Sequence, residues 1–149
     1  MCLMAIPNFE DNGDLPSGEH FATLPEIEDR FGKLNECREK LMAGLKAAAI
    51  NLQKAGVRKA WIDGSFVTDK KEPSDIDGCW EYNESVNLDI LDPVFTAEST
   101  KPMKHKYGLD FYIANFIEAG SGVPFPVFFQ RNRDGIAKGI VVLELGEVV

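Results

Sequence analysis

Trp61-Ile62-Asp63-Gly64-Ser65-Phe66-Val67-Thr68, followed after a short gap by Pro73-Ser74-Asp75-Ile76-Asp77, is the stretch on which the reading of this chain turns. Residues 58–63 are short, apolar in the middle and bounded by glycine on both sides, which predicts a strand. Gly64-Ser65 makes a turn, and Phe66–Asp69 begins one helical turn. Residues 70–74 form a charged loop containing proline. Residues 75–82 then alternate, with Asp75, Asp77, Cys79 and Glu81 on one face and Ile76, Gly78, Trp80 and Tyr82 on the other, as in a half-buried strand.

Working outward towards the amino end, residues 7–22 are rich in Pro, Gly, Asn and Asp and read as an extended entry segment preceding the domain proper, residues 23–149. Thr23-Leu24-Pro25-Glu26 is a capping box with proline in the first turn, opening a helix to about Phe31 that Gly32 ends. A longer helix is predicted from an Asn35 N-cap to about Lys54. Its apolar stripe is Leu34, Leu41, Leu45, Ala48, Ala49 and Leu52, and Gly56 with Val57 closes it in a Schellman-type cap.

Towards the carboxyl end, Leu88, Leu91, Val94 and Phe95 suggest helix within residues 84–105, interrupted by Pro93. Residues 109–113 alternate and predict a third strand. Gly120-Ser121-Gly122 reads as a linker, Phe125–Arg131 as aromatic and helical, and Gly139–Leu145 as a last strand. Helices and strands interleaved in this order predict an α/β or α+β domain, a mixed sheet of about 3–5 strands with helices mainly on one face.

At 149 residues the chain is long enough for one core without disulfides or metals to staple it. Three scattered cysteines (Cys2, Cys37, Cys79) and two histidines (His20, His105) disfavour a zinc site and suggest reduced thiols. A formal charge of −8 disfavours general DNA binding, which needs a basic face. No apolar run is long enough to cross a bilayer, and the start lacks the basic region of a signal peptide, so a cytoplasmic location is expected.

The chemistry-bearing residues follow from the alternation. Asp75 and Asp77 share a face with Cα atoms roughly 6.6 Å apart at about 3.3 Å per residue. Carboxylates that close can share a divalent cation, and magnesium suits them because it completes its shell with phosphate oxygens and water. Gly64 lets backbone approach a phosphate, and the Ser65 hydroxyl donates to one. In the third strand Leu109, Phe111 and Ile113 take the apolar face and leave Asp110 and Tyr112 on the open one. Two like charges about 4–5 Å apart repel by roughly 3–4 kcal/mol at an effective dielectric of ~20, so a cluster of three acids calls for a cation. Asp63 is expected to pair with the backbone of the turn. Lys70, Lys71, Lys101, Lys104, Lys106, Arg131 and Arg133 read as solvated faces, and Phe125, Phe128 and Phe129 as core.

Glycine-serine, a gap, D-I-D and a later strand aspartate together resemble the DNA-polymerase-beta-type nucleotidyltransferase superfamily, in particular its small single-domain members, the minimal nucleotidyltransferases. The resemblance implies that Gly64 and Ser65 hold a triphosphate. It makes Asp75, Asp77 and Asp110 ligands of two Mg2+ (or Mn2+) ions, with Asp110 also activating the attacking hydroxyl. Leu15-Pro16-Ser17-Gly18-Glu19-His20, Thr23-Leu24, Arg30-Phe31 and Gly64–Thr68 further resemble a bacterial and phage family of nucleotidyltransferase-like domains. The expected activity is transfer of a nucleoside monophosphate from an NTP to an acceptor hydroxyl on a protein, an RNA or a small molecule. The alternative is a catalytically silent module of the same fold, such as an antitoxin or a phage-encoded binding protein.

Overall fold

A computed structural model describes residues 6–145; Cys2 and the first five residues, read above for a leader, lie outside them. Five strands form one mixed sheet: β1 (Gly18–Ala22), β2 (Lys59–Asp63), β3 (Ile76–Trp80), β4 (Leu109–Ile113) and β5 (Gly139–Glu144). Their spatial order is β1-β5-β2-β3-β4. The outer pairs β1–β5 and β3–β4 are parallel, and β2 runs antiparallel to both β5 and β3. This is an α+β arrangement with four α-helices among the described residues, α1 (Leu24–Phe31), α2 (Glu36–Ala55), α3 (Lys101–Tyr107) and α4 (Phe125–Phe128).

The helix ends form where their capping chemistry lies. Thr23 and Glu26 make both reciprocal bonds of the capping box, Thr23 Oγ1 accepting from the Glu26 N–H and the Thr23 N–H donating to Glu26 Oε1. Asn35 Oδ1 accepts from the Arg38 N–H and starts α2. Gly56, at φ 98°, ends it, and the Val57 N–H reaches the Leu52 carbonyl at 2.9 Å while Val57 itself is buried.

The main core lies between one sheet face and α1, α2 and α3, and joins Ile62, Ile76, Trp80, Phe111 and Val141 to Ile27, Leu45, Leu52 and Met103. The opposite face carries a small second cluster, Trp61, Cys79, Ala114, Ile140 and Val142, with Phe125 and Phe129 packed against it. Strand alternation puts Asp63, Asp77 and Asp110 on this second face.

Several sequence expectations change. The proline- and glycine-rich entry is extended, yet its last five residues are strand β1, an edge of the sheet, and Leu15 is fully buried in the main core. Leu34 precedes the α2 cap and is exposed, so Arg38, not Leu34, begins the buried stripe. β3 stops at Trp80 and is covered on both faces, because the α4 segment lies over Cys79. Residues 84–92 form turns in place of helix. A 3-10 turn occupies Pro93–Thr96, and only Lys101–Tyr107 is α-helical. Helix α4 is a single turn with no fully buried residue: Phe125 and Phe129 are half-buried and pack on the second cluster, as expected of core, whereas Phe128 is exposed. No helix among the described residues is long and apolar enough to cross a membrane.

Candidate active site

The site is a row across three strands. Register places Asp63 opposite Asp77 and Asp77 opposite Asp110, so one carboxylate from each of β2, β3 and β4 stands side by side at one end of the sheet. Asp75 immediately precedes β3. One oxygen from each of Asp75, Asp77 and Asp110 lies within 4.8 Å of the others, and all three residues are half-buried. Asp63 is set apart from this trio. It is buried and accepts from Lys138 Nζ at 2.6 Å, an ion pair that replaces the expected pairing with the turn as its main interaction. Burial pushes the Asp63 carboxyl up and Lys138 pulls it back.

The trio is short of positive charge. Lys104, from α3, is its cationic neighbour, with Nζ 3.2 Å from Asp75 Oδ2 and 3.8 Å from Asp110 Oδ2. Three carboxylates therefore face one ammonium. Burial, then the charges of Asp75, Asp110 and Asp63, push the Asp77 carboxyl up to about 7, with Lys104 opposing. Asp110 Oδ1 is buried and has no hydrogen-bond partner among the described residues. An orphaned acceptor beside an acid reluctant to ionise is compatible with an all-oxygen cation site. The hard donor set suits Mg2+ or Mn2+ over zinc.

Gly64 opens a 3-10 turn (Gly64–Val67) directly after β2. Its φ is +77°, and a Cβ there would lie 2.2 Å from Asp77 Oδ2. Only glycine leaves room for the carboxylate in that position. Ser65, next to it, is half-buried at the edge of an open cleft of about 1080 Å³. It is lined by Gly64, Ser65, Thr68, Lys70 and Asp77 and by residues of the 127–138 segment, among them Phe128, Phe129, Arg131, Arg133 and Lys138. The cleft is large enough for a nucleotide. Asp77 belongs to both the carboxylate trio and the cleft, which Asp14 and Asp63 also line.

Sequence reading found the five residues Gly64, Ser65, Asp75, Asp77 and Asp110, and the fold brings all five to one end of the sheet. It took Lys104 for a solvated side chain, and Lys104 is exposed; its ammonium also reaches the acids because α3 packs beside β4. It read Tyr112 as rim packing, and the ring stacks on Phe125 with centroids 4.8 Å apart. It overlooked Lys138, which nothing local distinguishes. It also overlooked Arg38, for which a signal existed: an arginine three residues before Leu41 and seven before Leu45 occupies a position of the apolar stripe.

No curated protein and no solved structure matches the chain. The model of one family does, over residues 7–144, and by that match the chain belongs to DUF6932, a family of unknown function.

Proposed function

We propose that the protein is a metal-dependent nucleotidyltransferase that moves a nucleoside monophosphate from an NTP to an acceptor hydroxyl. One observation carries the reading: three carboxylates converge within 4.8 Å beside a glycine-serine turn, and Asp77 is shared between that cluster and the adjoining cleft. Asp75, Asp77 and Asp110 would hold Mg2+ or Mn2+. Such an ion, when bound, neutralises charge on the polyphosphate and on the leaving group.

The chain's own residues do the rest. Gly64 and Ser65 cradle the polyphosphate, the serine hydroxyl donating to a phosphate oxygen. Arg131 and Arg133 line the same cleft, and Phe128 and Phe129 offer apolar surface to a base. The acceptor oxygen bonds to the α-phosphorus as the bond from that phosphorus to the bridging oxygen breaks, and pyrophosphate leaves with the electron pair. The hydroxyl proton passes to the Asp110 carboxylate. Positioning and charge neutralisation supply most of the acceleration in such a displacement. The acceptor belongs to a protein, an RNA or a small molecule. Free Cys37 and Cys79 and a triphosphate substrate fit a cytoplasmic setting.

The test is incubation with α-labelled triphosphates, Mg2+ or Mn2+ and host lysate, for the wild type and for Asp75→Ala/Asp77→Ala. Label transferred by the wild type alone is the expected result; no labelling and no triphosphate binding by the wild type would sink the reading. Lys104 favours a second reading, because an ammonium already lies against two of the acids. In a silent binding module, Asp77→Asn would leave partner binding intact and there would be no activity to lose.

A further inference from the structure

Arg38 is fully buried in the middle of the domain. Among the described residues no carboxylate pairs with it. Its guanidinium instead donates to five backbone carbonyls. Nη1 reaches Phe31 O at 3.1 Å and Phe66 O at 2.7 Å. Nη2 reaches Ser65 O at 3.3 Å, Thr68 O at 2.9 Å and Lys70 O at 2.6 Å. Nε has no partner. Burying a cation without a counter-ion is costly, and five carbonyl dipoles offset only part of that cost.

Four of those carbonyls belong to one loop, residues 65–70, and Ser65, Thr68 and Lys70 line the cleft. A trans peptide is planar, with its C=O and the next N–H pointing in opposite directions. Carbonyls drawn inward to Arg38 therefore turn the following N–H groups away from the core. The loop shows the rule at work: Thr68 O points to Arg38, and the Asp69 N–H points the other way, to Gly13 O at 3.2 Å. Ser65 O is pinned by three donors, Arg38 Nη2, the Thr68 N–H and Thr68 Oγ1. A guanidinium does not deprotonate in a protein, so a fixed positive charge stands directly behind this wall in a chain of net charge −8.

We infer that Arg38 is the positioning residue for polyphosphate: it shapes and charges the Ser65–Lys70 wall from behind, without touching the ligand. The inference rests on the nucleotidyltransferase reading of the cleft. It separates anion binding, which depends on Arg38, from cation binding at Asp75, Asp77 and Asp110, which does not.

The experiment titrates inorganic tripolyphosphate with Mg2+ into the full chain by calorimetry, for wild type, Arg38→Met and Arg38→Lys, below the unfolding range of each. Arg38→Met is expected to bind about tenfold more weakly or worse, and Arg38→Lys to recover part of the loss by keeping the charge. Mn2+ alone, followed by electron paramagnetic resonance, keeps its affinity within about twofold in both variants. Equal tripolyphosphate affinity in wild type and Arg38→Met overturns the inference and leaves the nucleotidyltransferase reading standing. No binding by the wild type removes both. A parallel loss of Mn2+ and tripolyphosphate makes Arg38 a purely structural residue and overturns the inference. Should neither variant fold, the wild type decides by NMR. The Arg38 guanidinium signals must then shift with tripolyphosphate along the calorimetric isotherm, and signals that stay in place overturn the inference.

Discussion

A single methyl group at residue 64 tests the geometry of the site most sharply. Alanine there is forced into the left-handed region at φ +77°, and its Cβ meets Asp77 Oδ2 at 2.2 Å. The backbone term alone costs about 1–2 kcal/mol. Displacing Asp77 by even 1 Å costs roughly a hundredfold in rate if that carboxylate orients the reaction. Gly64→Ala is thus expected to lose nucleotidyl transfer far beyond its loss of stability, and kinetics paired with denaturant unfolding reads both. Asp77 supplies a second prediction, for the metal-free protein. Its carboxyl holds a proton up to about pH 7 in the folded chain, whereas an unfolded aspartate releases it near pH 4. Between those values the folded state binds more protons, so stability falls as pH rises from about 4 to about 7 and levels off above. For a half-buried group, solvent screening holds the effect to about 1–2 kcal/mol. Asp77→Asn should remove that slope, and a urea midpoint series in the absence of divalent ions measures it. These residues were legible because strand alternation assigns faces: once Ile76 and Leu109 are core, Asp77 and Asp110 must share the opposite side. Lys138 was not legible, since it reaches Asp63 only through packing between elements distant in sequence, and neither was Lys104, whose contact with Asp75 depends on how α3 packs against the start of β3.

At the scale of elements, the position of α3 decides whether the trio is assembled. Helix α3 leads straight into β4 through Gly108, whose carbonyl accepts the Ile76 N–H at 2.9 Å at the start of β3. It rests on α2 at Gly44, where a Cβ would lie 1.9 Å from the Tyr107 carbonyl oxygen. Backbone-on-backbone contact of this kind cannot yield as a flexible side chain would. Gly44→Ala is expected to cost about 1–3 kcal/mol by overpacking and to move α3, weakening Mn2+ binding although residue 44 touches no acid. A thermal midpoint together with a Mn2+ titration checks this, and a destabilised variant with unchanged Mn2+ affinity would show that α3 does not position the site. Caps and periodicity made α1 and α2 readable almost to the residue. Proline and mixed polarity hid the path of residues 84–100, where no period of 2 or 3.6 is sustained. Strand β1 was missed for a related reason: Gly18-Glu19-His20-Phe21-Ala22 carries little β signal of its own, and it becomes a strand because β5 offers an edge to pair with.

For the whole molecule, the candidate site concentrates a burden that the chain carries everywhere. A net charge of −8 already repels itself, and three carboxylates within 4.8 Å add to that locally. A divalent ion that binds the folded chain alone must then stabilise it by mass action, by about 2.7 kcal/mol at a hundred times its Kd. For a domain of this length that corresponds to a rise of about 5–10 °C in Tm. Screening by added salt also raises Tm, but NaCl of equal ionic strength measures that part in each variant, and what Mn2+ adds beyond it is site binding. Asp77→Asn and Asp110→Asn should therefore start out as stable as the wild type or more so, having lost a repulsion, and gain no more from Mn2+ than from NaCl of equal ionic strength. The wild-type gain should grow as pH rises through about 7, because Asp77 must give up its proton before it can ligate. A differential scanning series over metal, salt and pH reads all of this in one format. A Mn2+ shift of the same size in wild type and Asp77→Asn would mean that the ion is being held by the acidic surface at large, and that the trio at the end of the sheet is not its site.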